Sequence, residues 1–282
     1  MILAIASGKG GTGKTTLAVN LARACGFPLQ LLDCDVEEPN AHLFLPGGTA
    51  TEETVTIRVP EVDESLCDGC GECSRFCAYH AIVSTGAKAL VFPEMCHGCG
   101  GCIKVCPRRA IREVPRRIGT VEKRQAGNVS LVTGRLDVGS VLAPALIRAV
   151  KARRDLSRAA VIDAPPGTSC PVITAVRGAD YVLLVTEPTP FGLHDLRLAV
   201  DTVREIALPF AVVLNRAGSG DDRVQRYCTD AGVPILLEIP DDRRIAEAYS
   251  RGRLLVEELP EYRERFAALA RQLLLSESSG GG

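Results

Sequence analysis

Eight cysteines between residues 67 and 106 constrain this chain of 282 residues more than any other feature. They form two copies of the pattern C-x-x-C-x-x-C-x-x-x-C, displaced by 29 residues. The copies contain Cys67, Cys70, Cys73 and Cys77, then Cys96, Cys99, Cys102 and Cys106. Three thiolates at this spacing on a tight turn bind one cubane, and the fourth cysteine reaches the other cubane. The pattern therefore predicts a small domain folded around two [4Fe–4S] clusters.

The expected ligand sets are crossed between the two copies. One set is Cys67, Cys70, Cys73 and Cys106, and the other is Cys96, Cys99, Cys102 and Cys77. The proline that usually follows the fourth cysteine occurs only in the second copy, as Pro107, whereas the first copy has Ala78. Structural zinc favours cysteine pairs at wider separation, and disulfides require an oxidising compartment. The spacing therefore favours clusters over both alternatives.

A glycine-rich loop near the start of the chain predicts a nucleotide site. Residues 2–6 are an apolar run, and a helical pattern begins near Leu17. The loop between them is Gly8, Lys9, Gly10, Gly11, Thr12, Gly13, Lys14, Thr15 and Thr16. The phosphate-binding motif requires this order of strand, loop and helix, because backbone N–H groups then converge on phosphate oxygens. We expect Lys14 to contact the β- and γ-phosphates and the Thr15 hydroxyl to face Mg²⁺.

With its additional Lys9, the loop resembles the deviant Walker A loop of the MinD/ParA class of P-loop ATPases. Residues 31–35, followed by Asn40, resemble the switch I strand end of that class. Residues 161–167 resemble the D-x-P-P-G switch II of the Mrp branch, which includes iron–sulfur carrier ATPases. Residues 212–216 resemble the strand whose asparagine contacts adenine.

This resemblance implies roles for three carboxylates. Asp33 and Asp163 would hold the water shell of Mg²⁺ together with Thr15, and Asp35 would position the attacking water. Because Asp33 and Asp35 end a strand, a purely structural role as helix or turn caps stays open for both.

The resemblance also implies a homodimer. Lys9 would cross the interface to the phosphates of the partner, so that two chains enclose two ATP molecules. Asn215 would hydrogen-bond the adenine edge, and Pro240 and Asp241 would close over the base.

The hydrophobic pattern predicts an α/β fold, a P-loop NTPase with a mostly parallel sheet sandwiched by helices. Unbroken apolar runs predict buried strands at 2–6, 29–32, 159–162, 181–185, 210–214 and 234–239. Helical patterns cover 144–153, 193–206, 222–231 and 260–275. The expected domains are an ATPase formed by 1–55 and 121–275, an inserted ferredoxin-like (α+β) domain at 56–120, and a disordered tail at 276–282. Residues 46–60 are interpreted as the link into the insert.

Charge and hydropathy limit the partners that we expect. The formal charge is −1, and two clusters with their thiolates would bring it to about −5. Nucleic-acid binding needs a basic face, and a membrane span needs about 18 apolar residues, which this sequence lacks. The chain also enters its first strand without a basic leader. We therefore expect a cytoplasmic protein with no nucleic-acid or membrane partner.

Several residues keep two interpretations. Cys170, seven residues after Asp163, is either an acidified thiol at a helix N-terminus or an inert packed side chain. His80 and His97 flank cluster cysteines and are expected to shape the loops. Basic residues between 104 and 124 either dock an acidic redox partner or offset cluster charge.

The expected function is that of an ATP-binding and ATP-hydrolysing iron–sulfur protein. In the first hypothesis, its nucleotide state controls assembly of a cluster or metallocofactor, or its transfer to a protein acceptor. In the alternative hypothesis, ATP gates electron transfer from the two clusters to a redox partner. Complete sets of four cysteines favour clusters that stay, whereas the Mrp-like switch II favours a carrier.

Overall fold

The computed structural model describes residues 1–275, and the chain divides into two compact units. The first comprises Met1–Glu52, Val121–Arg135 and the chain from Ile147 onward, and the second comprises Glu53–Thr120 and Leu136–Leu146. Residues 136–146, assigned by the sequence to the ATPase part, therefore cluster with the second unit. The expected tail at 276–282 lies outside the described residues.

The strands and helices alternate through most of the chain. The strands are β1 (Ile2–Ala6), β2 (Leu29–Asp33), β3 (Thr51–Val62), β4 (Ile82–Ser84), β5 (Ala89–Val91), β6 (Ile111–Ala126), β7 (Val129–Leu136), β8 (Ala159–Asp163), β9 (Tyr181–Thr186), β10 (Phe210–Ala217) and β11 (Ile235–Pro240). The helices are α1 (Lys14–Ala24), α2 (Ala41–Phe44), α3 (Glu72–Phe76), α4 (Gly101–Lys104), α5 (Ala143–Lys151), α6 (Cys170–Val176), α7 (Pro190–Glu205), α8 (Arg223–Asp230), α9 (Arg243–Ser250), α10 (Leu255–Glu258) and α11 (Pro260–Leu274).

The main sheet has the strand order β11-β10-β9-β1-β8-β2-β7-β6-β3. Every pairing from β11 to β7 is parallel, which confirms the mostly parallel α/β sheet predicted from the apolar runs. Its central strands are buried on both faces; in β1, for example, Leu3, Ala4 and Ile5 have no exposed surface. Such burial explains why these strands are continuous apolar runs without alternation.

The link predicted at residues 46–60 is wrong in part, because Thr51–Val62 forms the long strand β3. This strand is last in the sheet order, and most of its first residues are exposed. An edge strand tolerates Pro60 and charged residues, since one row of its backbone groups faces no neighbour. The polar composition that suggested a linker at residues 46–60 is therefore typical of a strand at the edge of a sheet.

The second unit repeats its backbone conformation at the spacing of the cysteine motif. Gly69 and Gly98 have φ values of 69° and 68°, and Gly71 and Gly100 have values of 80° and 68°. Helices α3 and α4 each begin directly after the second glycine of their copy. Left-handed backbone at these positions needs glycine, and it turns each loop so that its cysteines face inward.

Candidate nucleotide and cluster sites

The glycine-rich loop lies between β1 and α1, as the sequence predicted. Gly13 directly precedes α1 with a φ of 94°, which glycine alone adopts without strain. A Cβ at this position would also lie 2.5 Å from Nδ2 of Asn215. In the described chain no side chain caps α1, so its first N–H groups stay available to phosphate oxygens.

Two fully buried carboxylates lie beside the loop. Asp33 and Asp163 end β2 and β8, where parallel pairing makes them Cα partners. The Thr15 hydroxyl donates a hydrogen bond of 2.6 Å to Oδ2 of Asp163. The other oxygen of Asp163, Oδ1, is buried without a hydrogen-bond partner among the described residues. A hydroxyl beside an unpaired carboxylate oxygen offers the hard oxygen ligands that Mg²⁺ prefers, so these residues fit the ion.

Asp33 has structural contacts that Asp163 lacks. Its Oδ1 accepts from the backbone N–H of Asp35 at 3.3 Å, and its Oδ2 accepts from Ala41 at 3.1 Å. These bonds fix the segment between β2 and α2. The capping role that the sequence left open for Asp33 is therefore present, alongside its position next to Asp163.

Burial shifts the acidity of all three carboxyl groups. It raises the pKa of Asp163 to about 7, although the Thr15 hydroxyl and the charge of Lys14 oppose the shift. Burial and the charge of Asp163 raise the pKa of Asp33 well above its ordinary value. Burial also raises the pKa of Asp35 to about 6, against the charge of Lys14. A bound cation would stabilise the charged form of each group, which is a further reason that the site fits Mg²⁺.

The nucleotide candidate cavity has a volume of about 340 Å³. Residues that the sequence assigned to the site line it: Gly10, Gly11, Gly13, Lys14, Thr15, Thr16, Asp35, Asn40, Asn215, Pro240 and Asp241. The Nδ2 of Asn215 donates to the carbonyl of Thr12 at 2.9 Å, so this side chain also holds the loop. The remaining lining includes Glu38, Pro166, Arg216, Ile245 and Tyr249, none of which the sequence assigned to the site.

Lys9 contacts a residue of its own chain. Its Nζ lies 3.3 Å from Oε2 of Glu187, and Nε of Arg216 lies 3.4 Å from Oε1 of the same carboxylate. Sequence reasoning missed Glu187. A usable signal existed, because Glu187 directly follows β9, and charged residues at the carboxyl ends of parallel strands mark the ligand edge of such a sheet.

The cysteines of the second unit surround two separate cavities. Cys67, Cys70, Cys73 and Cys106 line the first, and Cys77, Cys96, Cys99 and Cys102 line the second. The cavities measure about 10 and about 230 Å³, so the side chains of the first group must part to admit a cubane. Each cavity takes three cysteines from one copy and one from the other. This grouping supports the crossed sets.

The local environment of the sulfurs agrees with this grouping. Burial raises the pKa of Cys73, and the neighbouring thiols of Cys106 and Cys67 raise it further. Burial, Cys96 and Cys99 raise the pKa of Cys102 to about 11. Iron ligation removes this cost, because the metal stabilises the thiolate.

Two backbone N–H groups point at sulfur. Gly98 donates to Sγ of Cys96 at 3.4 Å, and Ala110 donates to Sγ of Cys106 at 3.3 Å. Four thiolates with such N–H···S contacts are a donor set that fits a [4Fe–4S] cluster. In residues 1–275 no group of three or more His, Cys, Asp or Glu is arranged to hold a single metal ion. A cubane differs from that case because each thiolate binds a different iron.

His97 and the four cysteines outside the repeated motif differ in their environments. His97 stacks on Tyr79, with ring centroids 3.7 Å apart, at the rim of the second cysteine cavity. Cys170 is exposed at the first residue of α6, whereas Cys25, Cys34 and Cys228 are buried. Burial raises the pKa of Cys228 to about 11, as expected for an inert packed thiol.

Four of the eight basic residues between 104 and 124 form the ion pairs given next. The ion pairs are Arg108 with Asp68, Arg112 with Glu61, Arg117 with Asp137, and Arg124 with Glu122. Local carboxylates thus balance much of this charge, which weakens the interpretation of the stretch as a dock for an acidic partner. No helix in residues 1–275 is both long enough and apolar enough to cross a membrane.

Solved structures share this fold. The septum site-determining protein MinD of Pyrococcus horikoshii, complexed with Mg-ADP, superposes with a TM-score of 0.59 at 24% sequence identity. The match covers 99% of this chain and 97% of that chain. This similarity supports a MinD-like P-loop fold for the chain.

Two curated relatives span almost the whole chain. An uncharacterized protein of Methanocaldococcus jannaschii is 32% identical over 95% of this chain and 96% of its own length. A Pyrococcus horikoshii protein named iron-sulfur cluster carrier protein is 25% identical over 99% of this chain and 88% of its own length. Residues 3–256 match the CobQ/CobB/MinD/ParA nucleotide binding domain. With the phosphate loop and the parallel sheet, this match shows that the chain belongs to the CobQ/CobB/MinD/ParA nucleotide-binding family.

Proposed function

We propose that this protein hydrolyses ATP in its first unit, holds two [4Fe–4S] clusters in its second, and uses nucleotide state to control assembly or transfer of a cluster or metallocofactor. One observation carries the proposal. The same chain combines a phosphate loop beside buried carboxylates with two cavities that are each lined by four cysteines. Membership of a nucleotide-binding family and a relative named as an iron–sulfur cluster carrier support it.

The nucleotide half acts through positioning and charge. Backbone N–H groups of Gly10 to Thr16 hold the phosphates, and Lys14 neutralises the β- and γ-oxygens. Thr15 would hold Mg²⁺ directly, and Asp33 and Asp163 beside it would hold the water shell of the ion. Asp35, which lines the cavity, orients the attacking water. Phosphoryl transfer has a loose transition state, so orientation by a carboxylate matters more than removal of a proton.

The adenine would lie where Asn215, Pro240 and Asp241 line the cavity. Oδ1 of Asn215 and the second N–H of its Nδ2 are left for the base, because one N–H of Nδ2 already donates to Thr12. Lys9 would complete the site of a second copy in an ATP-dependent homodimer. This assignment requires Lys9 to leave its present contact with Glu187.

In the cluster half, the crossed cysteine sets act as ligands. When bound, such clusters supply one-electron chemistry over potentials of about −700 to +450 mV, according to their hydrogen bonding and exposure. The N–H groups of Gly98 and Ala110 stabilise negative charge on their sulfur partners. We expect a cytoplasmic setting and a protein acceptor or redox partner, without nucleic acid or membrane.

The second candidate function is ATP-gated electron transfer. The observation that favours it is the completeness of both cysteine groups, since a cluster held by four protein thiolates is hard to release. On the carrier hypothesis, a transferred cluster would therefore bind elsewhere, and the exposed Cys170 beside switch II is the candidate ligand.

Iron counting decides between the two candidates. The protein is purified anaerobically, its iron is measured, and it is incubated with Mg-ATP and an apo-acceptor before the count is repeated. We expect about eight irons per chain at the start. Loss of iron to the acceptor, whether from the eight resident atoms or from a further cluster, excludes electron transfer as the sole function. Unchanged iron with reduction of an acceptor excludes the carrier hypothesis. A colourless protein without iron contradicts both.

A further inference from the structure

We propose that Glu187 is a positioning residue that holds Lys9 on its own chain until a second copy binds. The inference rests on the proposed homodimer, in which Lys9 reaches the partner's nucleotide. We call the three side chains Lys9, Glu187 and Arg216 the Glu187 bridge. Its carboxylate contacts both cations, at 3.3 Å to Lys9 and 3.4 Å to Arg216.

The carboxylate at the centre of the bridge is better shielded than its partners. The Glu187 side chain is 9% exposed, whereas Lys9 is 33% and Arg216 is 58% exposed. A shielded carboxylate that loses its cations is left with an uncompensated charge, which opposes release. Arg216 lowers this cost of releasing Lys9, because it stays beside Glu187 as a counter-charge.

The backbone around Glu187 fixes where its side chain starts. Its carbonyl accepts from the N–H of Thr189, and the hydroxyl of Thr189 caps α7 by accepting from Gly192. A Cβ on Gly192 would lie 2.3 Å from the Glu187 carbonyl oxygen, so only glycine fits there. The carboxylate is therefore presented from a rigid turn, and the mobile member of the Lys9 pair is the lysine.

Arg216 connects the bridge to the nucleotide cavity. It lines that cavity, whereas Lys9 does not. Its backbone has a φ of 54°, a left-handed conformation that a residue with a Cβ seldom adopts. The phosphates of the nucleotide bound to a second copy would compete with Glu187 for Lys9.

A substitution that removes the charge of Glu187 should change the strength of the dimer in opposite directions for the two possible roles of this residue. If the carboxylate retains Lys9, Glu187→Gln frees the lysine and tightens the dimer formed with Mg²⁺ and a slowly hydrolysed ATP analogue. We expect the dissociation constant of the dimer to fall about fivefold for each copy that carries the substitution. This factor corresponds to the free energy of one partly exposed ion pair. If Glu187 instead supports Lys9 within the dimer, the same substitution weakens association.

The dimer constant is measured by sedimentation velocity at low and high salt. Glu205→Gln, an exposed change of the same charge on α7, serves as the matched control and should have no effect. Adding Lys9→Ala to Glu187→Gln should abolish the gain, because no lysine remains to be freed. High salt should tighten the wild-type dimer relative to the variant, since it screens the bridge. Glu187→Asp replaces the glutamine variant if the latter does not fold, and should tighten the dimer less.

The outcomes separate the two levels of the proposal. A wild-type dimer that Glu187→Gln leaves unchanged or weakens overturns the positioning role alone. A wild-type protein that stays monomeric with the ATP analogue overturns the homodimer and this inference with it. A tighter dimer that requires Lys9 supports both.

Discussion

At the scale of single residues, Asp163 carries the most specific prediction. Its pKa of about 7 in the folded chain lies above the ~3.9 of an unfolded aspartate. The folded state therefore binds the proton more tightly, and this group's stabilising contribution is lost as the pH rises from about 4 through 7. Mg²⁺ beside the carboxylate offsets that loss. We expect the rise in unfolding temperature caused by Mg-ATP, relative to ATP with EDTA, to grow between pH 6 and pH 8.

Asp163→Asn is the control for this pH dependence. It removes the buried charge, so the nucleotide-free variant should unfold at a higher temperature than the wild type at pH 8. It should also gain little from Mg²⁺, because a carboxylate that would hold the water shell of the ion is lost. A wild-type pH trend that survives in this variant would assign the effect to Asp33 or Asp35.

We expect substitutions of Lys14 and Asp35 to affect nucleotide binding and ATP hydrolysis, respectively. Lys14→Ala should lose nucleotide affinity because it removes charge from the phosphates. Asp35→Ala should bind normally and hydrolyse at least about tenfold more slowly, because it loses only the orientation of water. Titration with a fluorescent nucleotide and phosphate release measure the two effects. Equal losses of affinity in both variants would reject the switch I assignment.

At the scale of secondary structure elements, the sequence predicted the buried strands better than the exposed ones. Strands β1, β2, β8, β9 and β10 were visible as apolar runs because their central residues are buried on both faces. The edge strand β11 was also visible, although Glu238 on one of its faces is exposed. The segment Ile111–Ala126 was not predicted as one strand, because Pro115 and five basic residues hide its pattern. These residues are tolerated because much of the strand is exposed on one face.

The candidate site divides in the same way. The loop, Asp33, Asp163 and the eight cysteines were predictable, since local spacing fixes their partners. Tyr249 was not, because it reaches the site through tertiary packing of a segment that has no motif of its own. Residues that contact a site through the fold alone leave no local signal in a single sequence. Glu187 was missed although its place directly after β9 gave a signal.

The two cysteine cavities of the second unit predict which cluster each cysteine substitution should damage. Cys106→Ser should damage the cluster expected at Cys67, Cys70 and Cys73, because Cys106 lines the same cavity as these three cysteines. Cys77→Ser is the matched variant and should damage the other cluster. Electron paramagnetic resonance of the reduced proteins distinguishes the two losses. Damage to the cluster of the substituted cysteine's own copy would mean that the sets are not crossed.

At the scale of the whole molecule, the chain order predicts coupling between nucleotide and clusters. The cysteine-rich segment lies between β2, which ends in Asp33, and β7, which pairs with β2. Switch I follows β2, so its ordering by a γ-phosphate would act on the first end of this segment. We expect ATP to change the rate at which a chelator removes iron, relative to ADP, with coupling of about 1–3 kcal/mol.

This coupling is measured in four states: no nucleotide, ADP, ATP, and ATP with Lys9→Ala. The lysine variant should resemble the ADP state if the dimer transmits the change. Identical chelation rates in all four states would show two independent functions in one chain.

The exchange of the last cysteine between the two copies has an evolutionary consequence. Each copy supplies three sulfurs to one cavity and gives its fourth away, so a single copy would be incomplete at every site it helps to build. An ancestor with one copy would have needed a second molecule of itself to finish either cavity. Fusion of two copies would have turned that encounter between molecules into an event within one chain, and a later deletion of either half would then cost both cavities.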